Sequence, residues 1–145
     1  MIRDRASRTI TEMTAISEPL LLDERILGDG KLARTHATLE GGRVRIADDV
    51  GGAGALSIAA LDRVMCRYGL PLEDGVSLDG VALELGDGRR LRRLRYHAAV
   101  DATGRDYLVW ERPGHEPLAV IATHATAALR YLVAREGAPP QETEG

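Results

Sequence analysis

A chain of 145 residues fits one domain and is long enough to bury a core of its own, and its 44% hydrophobic content is ordinary for a soluble protein. A net charge of −3 argues against a polyanion binder, and one Trp, four Tyr and no Phe leave no stacking platform for single-stranded nucleic acid. A lone cysteine excludes an intramolecular disulfide, and no apolar stretch approaches the roughly 20 residues of a membrane span. The expectation is a soluble, cytoplasmic protein with neither membrane nor nucleic-acid partners.

Residues 1–17 mix charge, Ser and Thr without a sustained period and are read as a leader outside the domain, with Met13 as an alternative start to Met1. The domain is placed at 18–137. Pro19 to Leu27 holds the run Leu20-Leu21-Leu22 and then Ile26-Leu27, a first strand closed by Gly28-Asp29-Gly30. Lys31–Leu39 and Arg43–Ala47 flank Glu40-Gly41-Gly42, a hairpin signature; Val44 and Ile46 alternate with Arg43 and Arg45, one face buried and the other wet. Gly51-Gly52-Ala53-Gly54 is read as a mobile loop. It matches neither the P-loop spacing nor a dinucleotide fingerprint.

Residues 57–68 carry two periods. Val64, Cys66 and Tyr68 alternate as in a strand, while Leu61, Val64, Met65 and Tyr68 fall on one helical face. Ser57 at the N-cap, Gly69 at the C-cap and Pro71 beyond decide for helix. Val81–Leu85 alternates as a strand and Gly86-Asp87-Gly88 turns it back into an arginine-rich arm, 89–95. Two further turns, Asp101-Ala102-Thr103-Gly104 and Arg112-Pro113-Gly114-His115, divide the next apolar runs. From Thr123 the period becomes 3.6: Ala125, Ala128, Leu129, Leu132 and Val133 share one face of a helix over 123–136, stopped by Gly137. Residues 138–145 form a solvated tail without core residues.

The fold class is therefore α+β, a mainly antiparallel β-meander with one internal helix and a C-terminal amphipathic helix, and no repeat of fixed period. This order of elements is similar to a pleckstrin-homology-like barrel, in which strands precede one C-terminal helix. That alternative requires 57–68 to be strand.

The arginines at 89, 90, 92, 93 and 95 are the feature that composition alone would not produce. Arg93 and Arg95, with His97, are candidates to hold a ligand's phosphate or carboxylate, because guanidinium presents a bidentate fork to such oxygens. The plainer reading is an edge strand guarded by charge, or pairing with Glu84, Asp87 and Glu111. Cys66 reads as a core thiol, and the four histidines lack ligand spacing, so neither metal nor cofactor is expected. Asp48-Asp49 and Glu73-Asp74 fall in polar turns. Tyr107 and Trp110 are three apart on one strand and so point to opposite faces; with Leu129 and Leu132 they are the interface candidates. No catalytic motif stands out. The expectation is a non-enzymatic binding or self-association module whose partner is another protein or a second copy, as in a homodimer. A small-molecule pocket between sheet and helix is the alternative, ahead of a small enzyme using His97 or Cys66.

Overall fold

The computed structural model describes residues 18–97 and 104–136. Its elements are β1 (Leu20–Ile26), β2 (Leu32–Glu40), β3 (Arg43–Asp48), β4 (Gly52–Ser57), α1 (Ile58–Tyr68), β5 (Leu70–Pro71), β6 (Ala82–Glu84), β7 (Arg90–Tyr96), β8 (Arg105–Glu111), β9 (Leu118–Ile121) and α2 (Ala122–Glu136). They form two antiparallel sheets, β1-β2-β3-β4 and β5-β9-β8-β7-β6. The α+β expectation holds; the barrel alternative does not, because 58–68 is helix and the strands separate into two sheets.

The β2–β3 hairpin shows how locally the first sheet is specified. Glu40 pairs with Arg43, and the two-residue connection Gly41-Gly42 takes φ values of 56° and 78°, the left-handed region a hairpin turn of this length requires. Val44 and Ile46 face the core while Arg43 and Arg45 stay in water, as the alternation dictates. In β1 the register slips between Leu21 and Asp23, and this irregularity lets Leu22 and Asp23 both turn inward.

Each helix grows directly out of a terminal strand, β4 into α1 and β9 into α2, so the chain traces a four-stranded meander and a helix twice. Ser57 caps α1 by accepting a hydrogen bond from the Ala60 N–H at 3.0 Å. Gly69 ends it: its N–H donates to the Met65 carbonyl at 2.8 Å, and a side chain there would overlap that oxygen. On α2 the faces follow the predicted period, with Ala125 and Leu129 fully buried and Ala128, Leu132 and Val133 packed beside them.

Both helices and the inner faces of both sheets close over one core that includes Leu22, Val44, Leu56, Met65, Leu91, Leu108 and Trp110. A smaller cluster of Leu94, Tyr107, Val109 and Ala119 lies on the second sheet's other face, with Leu72, Val76, Tyr96 and Ile121 against it. The split confirms that Tyr107 and Trp110 face opposite ways.

The glycine cluster is a correction. Gly52-Ala53-Gly54 opens β4, pairing through Asp48↔Gly52 to Arg43↔Ser57, and is no loop. Gly54 serves packing: a Cβ there would overlap Cγ1 of Val133, so α2 approaches the sheet where the strand has no side chain. The turn at 101–103, the leader at 1–17, the Gly137 stop and the tail at 138–145 lie outside the described residues.

Candidate functional site

The arginine strand resolves into ion pairs. Arg90 bonds Glu84 at 2.9 Å, Arg92 bonds Glu111 at 2.8 Å, and Arg89 lies 3.6 Å from Asp87, the three carboxylates anticipated from sequence. The edge-guard reading is corrected for Arg90–Arg92, where β7 lies between β8 and β6; beyond them β7 pairs with β8 alone. Arg93 and Arg95 converge on Asp106, at 2.6 and 3.3 Å, beside a hollow of about 360 Å³ lined by Pro19, Leu20, Leu21, Val81 and Leu94. Arg95 also donates to the Gly104 carbonyl, and His97 sits against that same glycine. The three candidates therefore share one end of β7, where one carboxylate already engages both arginines.

Asp48 behaves unlike a turn carboxylate. Its side chain is only 3% exposed and accepts from Arg25 at 2.6 Å, from the Thr35 hydroxyl at 2.8 Å and from the N–H groups of Val50 and Gly51. The Arg25 hydrogen bond, foremost, holds the carboxyl far below its ordinary range against the opposing effect of burial. Arg130 of α2 approaches Asp48 at 3.9 Å. Asp23 shifts the other way, raised by burial. Asp48 ties β3 to β1 and β2, and it lines a hollow of about 200 Å³ with Gly52, Ala53 and Arg130.

Cys66 is exposed, which corrects the core-thiol expectation. It lies on α1 between Asp62, to which its thiol points at 3.6 Å, and Arg112, whose guanidinium comes within 3.5 Å of the sulfur. Burial of the sulfur, then the Asp62 charge, push the thiol pKa up, opposite to what a nucleophile needs. Asp62 is held in turn by Trp110, whose indole N–H donates to it at 2.8 Å. Among the described residues no group of three or more His, Cys, Asp or Glu side chains is placed to hold a metal ion.

The interface candidates divide. Trp110 and Leu129 are fully buried and Tyr107 lies under the smaller cluster, so their apolar surface is spent inside. Leu132 reaches the groove between α1 and α2, with a volume of about 910 Å³. Ala60, Val64, Ala127, Ala128 and Leu132 form its floor, and the rings of Tyr68 and Tyr131 stand at its sides. Tyr68 is 53% exposed and Tyr131 64%, unusual for aromatic side chains with no hydrophobic cover. Tyr68 was expected on the buried face of α1; at the helix's last residue it swings out instead. Sequence reasoning passed over Tyr131, although it is the one aromatic residue of α2 and falls off the apolar face that the 3.6 period defines.

A second hollow of about 410 Å³ lies at the start of α2, lined by Leu70, Glu73, Tyr96, Tyr107, Val120 and His124 among others. Tyr96 stacks on Tyr107 there with centroids 4.2 Å apart, and burial pushes its hydroxyl up to about 12.

No helix among the described residues is long and apolar enough to cross a membrane. Comparison with protein-family models, with curated proteins and with solved structures found no match to this chain.

Proposed function

We propose that the protein is a non-enzymatic binding module that seats an apolar helical segment of a partner protein in the groove between α1 and α2. One observation carries this reading: two exposed tyrosines flank an alanine-floored trough whose walls are both helices. Small residues on facing helices leave room for a third helix to lay its side chains between theirs, the mode by which grooves take amphipathic segments. Tyrosine is suited to such a rim, since its ring is apolar and its hydroxyl tolerates water. The thiol and carboxylates nearby support binding over catalysis, because the Cys66 thiol is pushed up and Asp62 is engaged by Trp110.

The test is selection from a displayed library of amphipathic helices panned on the purified chain. Enriched helices bind the wild type and lose at least tenfold in affinity on Tyr131→Glu, about 1.4 kcal/mol or more. That substitution sits on a largely exposed side chain and leaves the unfolding transition in place. Failure to enrich any helix, or helices that bind Tyr131→Glu as well as wild type, refutes the reading.

A further inference from the structure

We infer that the partner's helix is acidic beside its apolar face, an inference that rests on the groove being the binding surface. The arginines of β1, β2 and β7 each reach a carboxylate, with Arg25 on Asp48, Arg34 on Glu24, Arg92 on Glu111 and Arg93 on Asp106 at 2.6–2.8 Å. Those around the groove do not. Arg63 and Arg67 line it from α1, both exposed and without a carboxylate partner among the described residues. Arg67 lies over the Tyr68 ring at 5.6 Å. Arg112 reaches only the Cys66 sulfur, and its buried Nε has no hydrogen-bond partner among the described residues. On the opposite wall, Arg135 of α2 bonds the Tyr131 hydroxyl at 3.3 Å.

The one carboxylate in the lining, Asp62, already accepts from Trp110. The groove thus has an apolar floor and two cations, Arg63 and Arg67, along its α1 side, on a chain whose net charge is −3. Among the described residues, Arg63 and Arg67 lack the carboxylate partners that the arginines of β1, β2 and β7 have.

This pattern selects among occupants. A second copy placed groove to groove with α1 against α1 would bring Arg63 and Arg67 together with their counterparts, like charge on like charge. The apolar surface is concave, a shape that receives a helix and not a bilayer face. Arg63 and Arg67 are four residues apart, about 6 Å along α1. Carboxylates one turn apart on the incoming helix, beside its apolar stripe, meet that spacing.

The experiment uses the helix library with the positions flanking the apolar stripe randomised over Glu, Gln and Lys. Enrichment of Glu over Lys is expected. The selected helices should weaken about tenfold on Arg63→Gln/Arg67→Gln at low ionic strength, with the loss shrinking as salt rises. Arg63→Glu/Arg67→Glu should reverse the preference toward Lys. Helices that need Tyr131 yet show no preference for Glu overturn this inference and leave the groove reading standing. Helices indifferent to Tyr131→Glu overturn both. A native mass showing a dimer of the chain that Tyr131→Glu dissolves would make the occupant a second copy and overturn the inference as well.

Discussion

Gly54 and Val133 offer the sharpest test of how α2 is seated. The absence of a side chain at Gly54 is what lets Val133 approach, since a Cβ there would overlap its Cγ1. Gly54→Ala therefore forces strand and helix apart, an overpacking penalty of about 1–3 kcal/mol. Val133→Ala alone removes two methyl groups from a partly buried site and costs about 1 kcal/mol. In the double variant the obstruction is gone. What remains of Gly54→Ala is then the gain from restricting a strand glycine in the unfolded chain, about 0.5 kcal/mol stabilising. The two substitutions should couple by about 2 kcal/mol, a melting difference of about 4–8 °C for a chain of this size. Urea unfolding followed by the single Trp, buried in the core the helices cover, reads all four proteins. Additive losses would refute the seating of α2 on β4.

The Asp48 network makes stability depend on acid. The unfolded carboxyl titrates near about 3.9 and the folded one far lower, so the stabilisation is complete above about pH 5, begins to fade near about pH 4 and is lost only as pH falls through the folded value. Asp48→Asn should cost about 2–3 kcal/mol at pH 7 and about 1 kcal/mol less at pH 3, in urea midpoints taken at both. Trp110→Phe strands the Asp62 carboxylate and should cost about 1.5–3 kcal/mol in urea unfolding followed by circular dichroism, the variant having no Trp to report. Cys66 should alkylate with iodoacetamide more slowly than free cysteine at pH 7.5 despite its exposure, and faster in Asp62→Asn, by mass spectrometry of the modified chain.

What the sequence disclosed follows from the range of the forces involved. The Gly41-Gly42 hairpin, the Ser57 cap and the 3.6 period of α2 are each written within a few residues, and each stands where it was expected. Gly52–Gly54 was misread because glycine signals freedom locally, whereas here it answers to Val133, almost 80 residues away. The doubled order of meander and helix left no sequence period, since the connections before β4 and β9 differ, residues 49–51 against 112–117, and β6 is cut to 3 residues. The groove is a tertiary object in the same sense. Tyr68, Arg63 and Arg67 carry no signature until α2 brings Ala127, Ala128 and Tyr131 opposite them. The ion pairs of β7 were legible because cross-strand pairing sets Arg90 opposite Glu84 and Glu111.

Hydrogen–deuterium exchange on the chain, alone and saturated with a helix enriched from the library, tests the binding claim most directly. The account predicts new protection along residues 58–68 and 122–136, the two walls of the groove, with the strands unchanged. Protection confined to the β7 end around Arg93, Arg95 and Asp106, or to the hollow of Tyr96 and His124, would contradict it and place the binding site elsewhere.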